Sequence, residues 1–159
     1  YKNKNESLIK RAAVDLGHYI ADAHVPLHTT SNYNGQNSRQ HGIHSLWETQ
    51  VPELFLDTLS VKPYKAKYVN DPMSAVWDVV FESYAESHEV LKREKTLRDD
   101  DVALKANEKK KVYFKKSYRL RFQDEMRLKI DQRLIQSAQM ISDFWYSAWI
   151  DAGQPKLPI

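Results

Sequence analysis

Five of the six histidines, His18, His24, His28, His41 and His44, fall within 27 residues, and His88 alone lies outside that window. Imidazole is the commonest protein ligand for zinc, and a metal site needs its ligands bunched in this way. Two of the five carry a carboxylate four residues further on: Asp22 follows His18, and Glu48 follows His44. On a helix that spacing sets each pair on one face, one turn apart. His28 stands just past Pro26, where a helix must turn aside. Two crossing helices, each offering an imidazole and a carboxylate, form a pocket of nitrogen and oxygen donors. The chain has no cysteine, and ligation without thiolates suits a catalytic zinc better than a structural one. A single His–Asp pair at this spacing is ordinarily a surface contact; two pairs with His28 between them point to a site. His24, two residues after Asp22, is turned off the shared face and is expected to serve structure. His41 competes with His44 as a ligand, but its four-residue partner is Ser45, so it is set aside. His88, among Glu82, Glu86 and Glu89, is expected to be solvated.

The elements that position these residues read as helices. Residues 7–24 place Leu8, Ala12, Leu16, Ile20 and Ala23 at three- and four-residue spacing, with Asn5 or Ser7 as cap and Pro26 as stop. Residues 29–40 are rich in Asn, Ser and Thr, hold the Asn34-Gly35 turn pair, and read as a loop. Helical spacing resumes near Gly42 with Ile43, Leu46 and Trp47, and Pro52 is expected to bend or restart that helix. Asp71-Pro72 combines an N-cap with the proline position a helix tolerates, and predicts a helix to about Lys95. Thr96 with Asp99 resembles a further capped start, and a long amphipathic helix is expected from about 108 to 151, stopped by Gly153 and Pro155. Nothing alternates with period two for long enough to demand a sheet. The prediction is one all-α domain over residues 1–159.

Composition sets the outer bounds. The 159 residues are 42% hydrophobic and 28% charged, with 4 Gly and 6 Pro, which excludes collagen-like and strongly disordered classes. The absence of cysteine excludes a disulfide scaffold, a thiolate-bound zinc and a cysteine nucleophile. Lys and Arg number 24 against 21 Asp and Glu, a net charge of +3 that argues for solubility and little else. No apolar run approaches the roughly 20 residues of a membrane span, and no secretory leader pattern stands in the chain.

The stretch His18-Tyr-Ile-Ala-Asp22-Ala-His24-Val-Pro26-Leu27-His28, followed by His44-Ser-Leu-Trp47-Glu48, resembles the zinc-dependent phospholipase C and single-strand-specific nuclease superfamily. That family's signature is HxxxDxHxPLH and then HxxxE or HxxxD. The tail from Phe144 through Trp145, Tyr146 and Trp149 to Gly153 and Pro155 is similar to the last helix of bacterial members, and Glu48 is similar to the phospholipase branch. The resemblance implies a compact all-α fold around up to three zinc ions that hydrolyses phosphodiesters, of phospholipid or nucleic acid, by metal-activated water. By position, His28, His44 and Glu48 hold one zinc, and that set is complete. His18 and Asp22 serve a second, with Asp22 bridging to a third. The family's remaining ligands, an Asp, two His and an amino-terminal Trp, have no counterpart here, since 17 residues without a histidine precede His18 and the first is Tyr1. The chain is therefore expected to be the carboxyl-terminal portion of such a fold. No catalytic residue is identifiable in it, the general base being expected upstream, and the chain alone is expected to be nearly inactive. Secretion or a periplasmic location follows from the resemblance alone.

Two other features invite a functional reading. Tyr33 and Asn34 lie between His28 and His44 and are expected at the rim of the cleft as substrate-binding residues. Residues 109–121 hold seven basic side chains and the aromatics Tyr113, Phe114 and Tyr118. A track for nucleic acid or a patch for an anionic surface is one reading, belonging to a non-enzymatic helical module with at most one structural zinc. A helix with its aromatics in the core and its lysines solvated is the preferred one. Trp145, Tyr146 and Trp149 are expected to be mostly core on the same grounds.

Overall fold

The computed structural model describes residues 5–98, 103–106 and 112–156. About 71% of the described residues are helical, with almost no strand, so the expected all-α class holds. Helix α1 spans Glu6–Ala23, with the Asn5 carboxamide accepting from Leu8 N at 3.1 Å as its cap. Its C-terminal end turns through a 3-10 segment, Pro26–Thr29, that presents His28. Helix α2 is short, Ile43–Ser45, and runs on as a π-helical turn, Leu46–Gln50, before Pro52 restarts the chain in 3-10 turns. Helix α3 spans Pro72–Leu97 and is capped by Asp71, whose carboxylate accepts from Ser74 N at 3.1 Å. Strands β1 (Ala103–Ala106) and β2 (Val112–Phe114) form an antiparallel pair, and helix α4 spans Lys116–Asp151.

The core sits between the α2 turn, α3 and the first half of α4. Leu27, Ile43, Leu46, Trp47 and Val51 meet Val90 of α3 and Phe114, Tyr118, Phe122, Met126 and Ile130. On α4 the buried positions 118, 122, 126 and 130 recur every four residues, one stripe of a helix. This core grips the residues on either side of His44 and Glu48 and leaves those two side chains at its edge. The end of α1 is fixed by a different device. Arg133 is 3% exposed, and its Nε donates to His24 O at 3.0 Å while its Nη1 reaches Glu82 at 2.8 Å. Ser83 Oγ donates to Ala23 O at 2.6 Å and also meets Arg133 Nη2. The carbonyls that α1 leaves unsatisfied at its terminus are thus met by α3 and α4.

Four expectations are corrected. Residues 112–114 are a strand rather than helix: Val112 and Phe114 face inward and Tyr113 outward, the alternation of a β-branched and aromatic run too short to read from sequence. Thr96 starts nothing. It lies inside α3, its hydroxyl donating to Lys92 O at 3.0 Å, while Asp99 lies outside the described residues. Within α1 only Ile20 is buried, and Leu8 is exposed, because the contact line runs through Ala13 and Gly17 instead. Trp145 of α4 lies against that line, its Nε1 donating to Ala13 O at 3.1 Å. Trp145 and Tyr146 remain substantially exposed rather than core, Trp145 lying over the backbone of α1 at Ala13 instead of beneath it. A strap before α3 crosses the same half of α4: Tyr64 donates to Asp143 at 2.9 Å, Tyr68 to Asp151 at 2.7 Å, and Val69 N to Ser147 Oγ at 2.8 Å. Hydrogen bonding to Asp143, together with burial, pushes the Tyr64 phenol above its ordinary pKa, burial being the larger cause. No helix among the described residues is long and apolar enough to cross a membrane.

Candidate metal centre

The two pairs seen in the sequence converge, and His28 joins them. His18 Nε2 stands 3.4 Å from Asp22 Oδ2, and the other oxygen of Asp22 stands 3.4 Å from His28 Nδ1. From the far side of the same ring, His28 Nε2 lies 2.8 Å from Glu48 Oε1 and 3.1 Å from His44 Nε2. His44 Nε2 stands 2.9 Å from the other oxygen of that carboxylate, Glu48 Oε2. The donor atoms of His28, His44 and Glu48 lie within 4.8 Å of one another, and this is the metal-competent group of three among the described residues. Their side chains are each about a quarter to a third exposed, 27%, 25% and 30%, so the group is open to solvent on one side.

These distances fit a zinc ion. With bonds of about 2.0–2.2 Å, donors at the corners of a tetrahedron stand about 3.3–3.6 Å apart, which is inside the 4.8 Å that encloses one ligand atom from each of the three residues. Two imidazoles and one carboxylate leave the fourth position to water, the open arrangement of a catalytic ion. Asp22 adds the outer contact such sites use: a carboxylate on the second nitrogen of a ligating histidine fixes the tautomer. With the proton on His28 Nδ1 facing Asp22, the Nε2 lone pair is left for the metal. The arrangement places Asp22 and His18 behind His28 rather than in a second group of three.

Local sequence explains how the ligands arrive. Pro26 at the first position of the 3-10 turn directs His28 back across the end of α1. Gly42 precedes α2 with φ 92°, and a Cβ there would meet Val112 Cβ at 2.6 Å, so only glycine starts this helix. Asn34 Oδ1 accepts from Gly42 N at 3.1 Å. The expected rim residue thus has a structural task, with Gly35 at φ 72° supplying the turn beside it. Tyr33 packs edge-on against His44, ring centroids 5.8 Å apart. Tyr33 and Asn34 both line a cleft of about 450 Å³ that also takes in His44, Glu48, Glu53 and Tyr113.

The remaining histidines fall as expected. His24 is buried, its Nδ1 donating to Ile20 O at 2.8 Å, and burial holds its pKa below the ordinary imidazole value. His88 is exposed beside Tyr84. In the basic segment, Phe114 and Tyr118 are buried and stacked, centroids 5.2 Å apart, and Tyr113 is exposed. Lys109, Lys110 and Lys111 lie outside the described residues. Of the three aromatics that a nucleic-acid track needs, one faces solvent.

Sequence reasoning missed the polar residues that hold the site from behind. Glu94, Gln40 and Gln50 are almost fully buried. Glu94 receives Tyr118 OH at 2.8 Å, Arg98 Nε at 2.8 Å and Gln40 Nε2 at 2.5 Å, tying the 31–42 loop to α3 and α4. Their partners lie 24 to 64 residues away, apart from Arg98 and Ser45, so no local spacing announces them. No protein-family model, curated protein or solved structure matches this chain.

Proposed function

We propose that the chain is part of a zinc-dependent phosphodiesterase, and that His28, His44 and Glu48 hold one of its ions. The single observation that carries this reading is the cluster in which the Nε2 atoms of His28 and His44 stand 3.1 Å apart and 2.8 and 2.9 Å from the two oxygens of Glu48, with Asp22 behind His28. The motif resemblance to the zinc-dependent phospholipase C and nuclease superfamily supplies the reaction class. A zinc ion so held supplies Lewis acidity and a bound water of near-neutral pKa. The chain's own residues do the rest. Asp22, 3.4 Å from His28 Nδ1, faces that nitrogen with its charge, and Glu48 adds the charge that offsets the cation. The cleft beside His44 and Glu48 is where a phosphodiester would lie, with Tyr33 at its edge. His18 and Asp22 stand ready to serve further ions once ligands from outside this chain join them, and His18 is open to solvent for that role.

The test is hydrolysis of bis(p-nitrophenyl) phosphate by residues 1–159 and, where the gene encodes residues ahead of Tyr1, by the longer protein that carries them. The expected result is background turnover by the short form and turnover by the long form that a chelator abolishes and zinc restores. A long form with no zinc-dependent turnover on this ester, on phospholipid or on single-stranded nucleic acid overturns the reading.

A further inference from the structure

Gln50 is 2% exposed, sits at the end of the π-helical turn, and follows Glu48 by two residues. Its side-chain amide behaves like a piece of strand. The carbonyl Oε1 accepts from Phe114 N at 3.0 Å, and Nε2 donates to Val112 O at 2.8 Å. These are the two main-chain groups that β2 turns toward the α2 turn. The donor and acceptor demands of β2 also fix which way the amide faces, since Phe114 N–H requires an oxygen and Val112 C=O requires an N–H. The same Nε2 reaches Ser45 Oγ at 3.1 Å, the neighbour of His44. One buried amide therefore bonds β2 on one side and the segment bearing His44 and Glu48 on the other.

The consequence reaches the cleft. Tyr113 lies between the two residues that Gln50 holds, and it faces outward into the cleft that His44 and Glu48 line. Val112 closes over Gly42, where α2 begins. Strand β2 is thus a wall of the cleft, docked onto the ligand-bearing turn through Gln50. Both inner residues of β2 join the packing around the core, so the docked position is one well-defined arrangement.

We infer that Gln50 is a positioning residue that couples zinc occupancy at His44 and Glu48 to docking of the β1–β2 hairpin, so that the metal site and the Tyr113 wall form together. The inference rests on the zinc reading above. Coupling is reciprocal: if a docked hairpin tightens zinc, zinc must tighten the hairpin by the same factor. Residues that orient metal ligands typically change metal affinity about 10–100-fold when replaced. A residue that merely stabilises the fold lowers the unfolding midpoint and leaves the affinity of the folded protein unchanged.

The experiment measures zinc affinity by competition with a chromophoric chelator for the unaltered chain, Gln50→Leu and Tyr64→Phe, the last removing a half-buried hydrogen bond on the far strap. Amide exchange at Phe114 is followed in the unaltered chain with and without zinc, which decides the matter even if Gln50→Leu does not fold. The expected results are a loss of about 10–100-fold in Gln50→Leu, less than about twofold in Tyr64→Phe, and Phe114 exchange slowed about tenfold or more by saturating zinc. Unchanged affinity in folded Gln50→Leu, or Phe114 exchange indifferent to bound zinc, overturns the inference and leaves the zinc reading standing. Absence of zinc binding by the unaltered chain overturns both.

Discussion

Glu94→Ala is the substitution whose cost follows most fully from the structure. The carboxylate is entirely buried, and three donors converge on it: Tyr118 OH, Arg98 Nε and Gln40 Nε2. Truncation removes the 2.8 Å bond that the buried Tyr118 hydroxyl makes to Glu94 Oε1. A hydrogen bond to a charged group is worth about 1.5–3 kcal/mol. Gln40 Nε2 keeps its bond to Leu91 O at 2.7 Å, so its loss is the smaller one. Arg98 keeps a route to solvent, its side chain being 20% exposed, and adds under about 1 kcal/mol. With the cavity left by the lost methylenes, the total is about 3–5 kcal/mol, the range found on breaking buried charge pairs. For a chain of this size each kcal/mol lowers the melting temperature by about 2–4 °C, so Glu94→Ala should melt about 6–20 °C lower. Urea unfolding of Glu94→Ala, Gln40→Ala and the double variant should give a coupling of about 0.5–3 kcal/mol. A loss below about 1 kcal/mol in Glu94→Ala, or strict additivity with Gln40→Ala, would refute the reasoning.

Two further outcomes are expected. Gly42→Ala places a methyl group against Val112 at a residue with φ 92°, so it should cost at least about 1 kcal/mol in urea unfolding and weaken zinc binding, because both the start of α2 and the β2 contact are disturbed. Hydrogen bonds from Ser74 hold the Asp71 carboxyl below its ordinary range. A depressed folded pKa contributes stability that is present above the unfolded value of about 3.9 and lost as pH falls through the folded one. The unfolding midpoint should therefore decline below about pH 4, and Asp71→Asn, which caps without titrating, should remove that component of the decline.

The parts of this molecule legible in its sequence are those governed by neighbours a few residues away. Asn5 and Asp71-Pro72 mark the starts of α1 and α3, and the four-residue spacing of His18 with Asp22 and His44 with Glu48 marks the ligand faces. Pro26 announces the turn that carries His28. What was not legible depends on distant partners. The strand at 112–114 exists because the Gln50 amide and Gly42 receive it, and neither can be paired with it from spacing. The buried line of α1 follows Trp145, more than a hundred residues away, rather than its own most apolar stripe. Glu94 and Arg133 look like ordinary surface charges in sequence and are buried because α3 and α4 bring them donors and acceptors.

The most direct test of the central claim is zinc counting and zinc affinity on residues 1–159, with His28→Ala and Asp22→Ala beside the unaltered chain. Three ligands and a water make a viable site, and two ligands from one short turn do not. The account predicts one zinc per unaltered chain and none retained by His28→Ala. It predicts an affinity lowered about 10–100-fold in Asp22→Ala, whose carboxylate faces His28 without belonging to the group of three. A folded chain that binds no zinc, or a His28→Ala variant that holds it as tightly as the unaltered chain, would contradict the account.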